Sequence, residues 1–210
     1  MTSFRKFDVE ISRSVTLDTL SWPSPGDASD ESGLGCNREY CDLRRMPWSE
    51  AKRALVLEER LLARLASAPD IQEELEKIEE ELIEGPEGLY GLDVGVASVV
   101  VALSAARCIP FSSCNGGALG DGHHNEQYPL VAFYARPLIA EVILRCAELA
   151  NVGIHDHGGC LVAYADSVEG MIHFARELTS ARSTFRKVRL RKPKSSTKLE
   201  VDPLPGLFDD

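Results

Sequence analysis

Long hydrophobic runs are missing from this 210-residue chain: nothing reaches the roughly 18 uninterrupted apolar residues that a membrane-spanning helix requires. The longest apolar stretch, Asp93 to Arg107, is shorter and interrupted by serines, so no membrane span is predicted. The opening residues MTSFRKFDVEISRS lack an apolar signal core, because Asp8 and Glu10 break it, and a cytoplasmic location is expected. Cysteine is too sparse for a disulfide scaffold: there are six, and without an export signal they read as reduced thiols. No CxxC pair is present, and Cys36 and Cys41 stand in a segment of loop composition, so the sequence carries no structural zinc signature. No repeat appears at solenoid periods, which excludes a stacked array.

What is abundant is acid. With 33 Asp and Glu against 23 Lys and Arg, the net charge of −10 argues against a general nucleic-acid binder. The basic residues are unevenly placed. Eight of them lie between Arg182 and Lys198 with no acid among them, which leaves 15 basic against 33 acidic side chains elsewhere. The chain reads as an acidic body with a basic tail.

Four segments follow from composition and periodicity: an extended or loop-rich stretch 1–48, an acidic helical hairpin 49–84, an α+β core 88–181 and a basic then acidic tail 182–210. In the hairpin, Ser49 is placed to cap a helix running to about Ala66, with Leu55, Leu62 and Leu65 on one face. Asp70 is placed to cap a second, whose Ile71, Leu75, Ile78 and Leu82 form a narrow seam while its glutamates face solvent. Such a hairpin is a candidate surface for a protein partner. Asp93 to Arg107 reads as a buried helix by its length. Cys108–Cys114 and Pro129–Ala135 read as strands, Pro137 opens a helix that stops at Asn151–Gly153, Gly159–Asp166 reads as a strand, and Ser167 caps a last helix. The order α-β-β-α-β-α is too irregular for a doubly wound parallel sheet. The expected fold is α+β: a small, largely antiparallel sheet covered by helices and preceded by an αα-hairpin.

The segment richest in chemical suggestion is Phe111-Ser112-Ser113-Cys114-Asn115-Gly116-Gly117, where a strand ends in small polar residues and a glycine pair. Glycines there would let a ligand approach backbone amides, which makes Ser112, Ser113, Asn115, Gly116 and Gly117 candidate ligand contacts. The alternative is a tight turn beside a buried cysteine. Downstream, His123 and His124 follow Gly120-Asp121-Gly122, and with Cys114 they form the set available for catalysis if the loop folds back. Exposed loop histidines without a role are the competing reading.

This segment resembles the wybutosine-synthesis tRNA methyltransferase family, which carries Ser-Ser-Cys-Ser-Gly-Arg after a buried helix. It is also similar to small bacterial and phage proteins with Ser-Cys-x-Gly after an Asp-x-Gly-Val/Ile helix. The resemblance spans about Asp93 to Asp166, and Ser112, Ser113, Cys114 and Gly116 match the motif. Asn115 and Gly117 stand where the family has serine and arginine, so the arginine contact to phosphate or carboxylate is missing there. The resemblance implies a site at this loop and, for an enzyme, RNA or nucleotide modification using Cys114 and a histidine.

Two further clusters need a role. In His155-Asp156-His157-Gly158-Gly159-Cys160, alternate strand positions put His155 and His157 on one side, and with Cys160 they are the metal candidates, against a plain polar hairpin turn. In the tail, Phe185 to Lys192 alternates basic and apolar residues, so an extended chain would present Arg189 and Arg191 together to RNA or an acidic partner. The same residues could instead dock on the glutamate-rich hairpin, improve solubility or form an edge strand, and without an aromatic platform sequence-specific RNA reading is not implied. The function read from these features is a ligand-binding or protein-interaction module working at the Ser112–Gly117 loop. The cofactor is unassigned.

Overall fold

The structure is a computed structural model that describes residues 4–23, 43–84, 88–120 and 126–190. His123, His124, Arg191, Cys36 and Cys41 lie outside the described residues, as does the side chain of Arg189.

In chain order the elements are β1 (Arg13–Ser14), a short 3-10 helix (Leu17–Thr19), α1 (Trp48–Ser67), α2 (Ile71–Glu84), α3 (Ala97–Ala105), β2 (Ile109–Cys114), β3 (Leu130–Tyr134), α4 (Pro137–Ala150), β4 (Gly153–His157), β5 (Cys160–Tyr164), α5 (Val168–Ser180) and α6 (Arg182–Leu190). The strands form one five-stranded sheet in the order β1-β4-β5-β3-β2, antiparallel throughout except where β1 runs parallel to β4. This is the α+β arrangement read from the sequence, with helices packed on the sheet. No helix among the described residues is long and apolar enough to cross a membrane.

Alternation along the strands sends Val131 and Phe133 of β3, Leu161 and Ala163 of β5 and Ile154 of β4 into the main core, where each is fully buried. Against them lies α3, every residue of which is buried, with α1 and α5 packed on α3 in turn. A helix apolar on all sides belongs in such a central position.

The spacing predicts a helix from Asp93, but α3 begins only at Ala97. Gly95 adopts φ +104 and Val96 is not helical, so residues 93–96 form a turn. The first N–H groups of α3 find their acceptor in another helix. Glu58 of α1, wholly buried, accepts from Gly95 N at 2.6 Å, Ala97 N at 3.0 Å and Ser98 N at 2.9 Å. At the other end Arg107 takes φ 75, and the Cys108 N–H reaches back to the Leu103 carbonyl at 3.0 Å, closing the helix.

Caps elsewhere follow local chemistry. Asp70 Oδ1 accepts from the N–H groups of Gln72 and Glu73, and Ser167 Oγ accepts from Gly170 N at 3.3 Å. Asn151 at φ 54 ends α4. Ser49, read as the cap of α1, lies inside it, because the helix starts at Trp48 with Pro47 extended before it. On α4, Leu138 and Leu149 stand exposed at 42% and 67% while Ile139 and Ala140 take the buried positions, which turns the apolar stripe slightly from the one expected.

Three elements depart from the sequence reading. Residues Gly153–His157, where alternate strand positions at His155 and His157 stood against a polar hairpin turn over His155–Cys160, form strand β4, whose pairing with β5 supplies the register that its polar side chains do not advertise. Arg13–Ser14 adds a strand beyond it. The stretch from Arg182 is neither tail nor edge strand as far as Leu190. It is helix α6, whose Phe185 is buried and stacks on Trp48 of α1 with ring centroids 5.6 Å apart. The boundary at 181 therefore cuts through packed structure. Likewise α1 is no separate hairpin arm. Its buried residues Ala51, Ala54, Leu61 and Leu65 belong to the same core as the sheet, as do Leu75 and Ile78 of α2, which is further tied to α1 by Arg64 pairing with Glu74 and Glu81.

Candidate functional site

Strand β2 delivers the Ser-Ser-Cys segment to the edge of the sheet. Ser112, Ser113 and Cys114 are half-buried there and pair with Ala132, Val131 and Leu130 of β3, after a bulge between Pro110 and Ser112. Because directly opposed residues share a face, Ser113 lies on the core side with Val131, while Ser112 and Cys114 lie on the outer side. The motif is thus divided between the two faces of the sheet.

Beyond Cys114 the chain turns sharply, and its polar groups are used internally. Asn115, 2% exposed, donates from Nδ2 to the Val94 carbonyl at 3.2 Å and accepts the Gly117 N–H on Oδ1 at 2.9 Å. Its own N–H donates to Asp93 Oδ2 at 3.3 Å. Asn115 is the pin that joins this loop to the turn ahead of α3. Gly116 sits at φ +67, and a Cβ there would stand 2.5 Å from the Tyr128 carbonyl carbon. The close approach that the glycine permits is to Tyr128 backbone, not to open space.

The Cys114 sulfur accepts the Gly116 N–H at 3.3 Å. Partial burial pushes its thiol above the ordinary value, and the Asp93 and Glu126 charges add to this, against the opposing pull of the Gly116 N–H. These are the reverse of the electropositive surroundings that activate a thiolate.

Outside the turn lies an open groove of about 1310 Å³. One wall is the N-terminal segment with Arg5, Phe7 and Asp8. The second is the start of α2 with Asp70 and Gln72, and the third is the backbone from Gly116 to Gly120 together with Glu126, Gln127 and Tyr128. The N-terminal segment is fastened by the Arg5 N–H to the Ala118 carbonyl at 3.2 Å and the Phe7 N–H to the Asp166 carbonyl at 2.8 Å. Among the described lining residues, three carboxylates, Asp8, Asp70 and Glu126, stand with one guanidinium, Arg5, which rests 4.7 Å over the Phe7 ring. One Asp70 oxygen is engaged in capping α2.

The outer sheet face carries the other sequence candidates. Cys114, Leu130, Tyr164 and Gly153 form one cross-strand row. Ser112, Ala132, Val162 and His155 form the next. Beyond them Ile109 opposes Tyr134 and Cys160 opposes His157. So Ser112, Cys114, His155, His157 and Cys160 share a face, but the cysteine and serine of β2 are separated from the histidines of β4 by two intervening strands. The Cys160 thiol donates to the His157 carbonyl at 2.8 Å, and His155 lies against the Tyr164 ring at 5.6 Å. Among the described residues no group of three or more His, Cys, Asp or Glu side chains is gathered as a metal ion needs.

Tyr128 and Tyr164 were not singled out from the sequence, yet they join groove to sheet. Their rings lie 5.6 Å apart. The Tyr164 hydroxyl donates to the Glu10 carbonyl at 3.0 Å and accepts from Ser12 N at 3.2 Å, while its ring covers Gly153, where a Cβ would stand 2.2 Å from Cζ. Strand alternation through Cys160, Val162 and Tyr164 was the available signal for the second tyrosine. Tyr128 sits in irregular chain and gave none. No protein-family model, curated protein or solved structure matches this chain.

Proposed function

We propose that this chain is a binding module whose working surface is the groove beside the Gly116–Gly120 turn. The observation that carries this reading is the groove itself, about 1310 Å³ walled by three separate parts of the chain and bordered by the backbone of a glycine-rich turn. Pockets of this kind combine apolar walls with a few directed polar groups. Here the apolar part is Phe4, Phe7, Ile71 and Tyr128, and the excess of carboxylates over arginine among the described lining residues favours a ligand bearing positive charge. Catalysis by Cys114 with a histidine is the weaker reading, because the raised thiol value keeps the sulfur protonated near neutral pH.

Native mass spectrometry of the intact chain, followed by extraction of the retained small molecule, tests the proposal. Gln72→Trp is the matched variant: Gln72 is exposed on the wall of the groove and reaches toward Gly120, so an indole there obstructs the space without touching the core. Loss of retained mass in the variant, at an unchanged melting temperature, supports the groove. A ligand retained equally by both proteins removes it.

A further inference from the structure

Two helices of opposite charge are attached to opposite ends of α1. Helix α6 contains no acid, and its Phe185 and Val188 pack on the core while Arg182, Arg186 and Lys187 are exposed. Arg182 and Arg186, four residues apart, lie one above the other, with Lys187 beside them. None of these three cations makes an ion pair or a side-chain hydrogen bond among the described residues.

Helix α2 is the counterpart, with seven glutamates against one lysine. Burial of Leu75 and Ile78 leaves Glu73, Glu76, Glu80 and Ile83, spaced three, four and three, exposed along the other side. Glu73 is paired with Lys77 and Glu76 accepts from Gln72, but Glu80 has no partner among the described residues. Ile83, at the end of this stripe, is 84% exposed.

The two surfaces do not meet within one chain. Helix α6 is held at Trp48, in the first turn of α1, through the Phe185 ring, whereas Arg64, in the last turn of α1, holds α2 at Glu74 and Glu81. Trp48 and Arg64 are about 24 Å apart along the helix axis. What could cover the basic helix is narrowed by its surroundings. A bilayer takes up a helix by its apolar face, and that face of α6 is turned onto Trp48 and the core. A polyanion meets a chain whose remainder, outside Arg182 to Lys198, carries 15 basic against 33 acidic residues. A second copy brings an exposed acidic helix with an unpaired glutamate and an uncovered isoleucine.

We infer that α6 of one chain docks against α2 of a second copy, setting Arg182, Arg186 and Lys187 against the Glu76–Glu80–Ile83 stripe. Because the two surfaces differ, the contact is head-to-tail, and it repeats from copy to copy unless the rotation closes a ring. Exposed ion pairs contribute little singly, so the association is weak and sensitive to salt. This goes beyond the groove reading and does not rest on it, since neither Arg186 nor Glu80 borders the groove.

Sedimentation equilibrium of the full chain is the test, at about 0.01 M and about 1 M salt, across which the screening length falls from roughly 30 Å to roughly 3 Å. At low salt the weight-average mass rises with protein concentration, and at high salt it returns to that of the monomer. Arg186→Glu and Glu80→Arg each set like charges together and lower the association constant about tenfold or more. An equimolar mixture of the two variants regains association, because the unaltered α6 of one meets the unaltered α2 of the other. Both positions are exposed, thermal circular dichroism checks that each variant folds, and Lys187→Glu replaces Arg186→Glu if that chain unfolds. Retention of a groove ligand is the same in both variants, which keeps the two readings separable. A monomer at every concentration in low salt overturns the inference. So does association that neither reversal weakens, or a mixture no more associated than its components.

Discussion

The Glu58 carboxylate reaches from one helix to begin another, accepting the Ser98 N–H at 2.9 Å together with the N–H groups of Gly95 and Ala97. Helix α3 has no side-chain cap of its own, so this borrowed one satisfies donors that would otherwise be buried without partners. Glu58→Leu removes the acceptor and leaves those donors unpaired, a cost of about 2–4 kcal/mol. Chemical denaturation reports it, and a loss under 1 kcal/mol would show that other acceptors take over.

Glu58 also sets a pH dependence of unusual sign. Burial pushes its carboxyl above the ordinary value of 4.5, against the pull of the Ser98, Gly95 and Ala97 N–H groups. A carboxyl raised on folding contributes stability that is present below its unfolded value and is lost as pH rises through the folded one. The stability gap between the parent and Glu58→Gln is therefore widest in acid and narrows as pH climbs from about 4.5. Glu50 behaves in the opposite sense. The Tyr90 hydroxyl and then Arg53 hold its carboxyl below the ordinary value, so its contribution is present above 4.5 and fades as pH falls into the acid range. Denaturation midpoints measured for Glu58→Gln and Glu50→Gln across pH separate the two slopes, and parallel curves for both would refute the assignment.

Gly116→Val is a folding mutation before it is a binding mutation. At φ +67 a β-branched residue is strained, and its Cβ would meet Tyr128 backbone at 2.5 Å. The variant loses several kcal/mol of stability, on the scale of overpacking with backbone strain added. Thermal unfolding and ligand retention in one preparation decide the matter. Selective loss of ligand with an unchanged melting temperature would restore the glycine to ligand contact.

Much of the fold was legible because the signals were local. Asp70 and Ser167 make the caps that their positions announced, and the apolar runs at Ile109–Cys114 and Leu130–Tyr134 pair as strands. What escaped was tertiary. Gly153–His157 is a strand because β5 lies beside it, and three polar side chains in five positions hide that. Glu58 falls on the apolar stripe between Leu55 and Leu62, a placement that marks a buried charge. Yet the partner N–H groups lie far along the chain. For the site, the turn after Cys114 was legible from its glycine pair, Gly116 and Gly117, both of which take positive φ. The groove depends on the N-terminal segment returning to Ala118, which no local pattern encodes.

The thiol of Cys114 offers a check that does not involve a ligand. With burial and two carboxylate charges pushing its value up, it reacts with iodoacetamide at pH 7.5 more slowly than a free thiol. Its rate rises as pH is raised. Peptide mapping by mass spectrometry after timed alkylation identifies the site, and fast labelling at neutral pH would revive Cys114 as a nucleophile.

The end of the domain makes the last prediction. Phe185 is 3% exposed and stacks on Trp48, which joins α6 to the first turn of α1, and Val188 packs on the same core. Ending the chain after Ala181 removes that contact and uncovers the half-buried Trp48. Ending it after Leu190 removes none of the described elements. The shorter protein loses about 3–5 kcal/mol, the scale of deleting a buried aromatic ring. For a chain of this size that is a fall of roughly 10 °C in melting temperature. The longer one melts near the parent, as thermal circular dichroism would record. Phe185→Ala in the full chain reproduces most of the loss without touching the basic residues, which assigns the effect to packing and not to charge. Equal melting of all three proteins would return the boundary to 181.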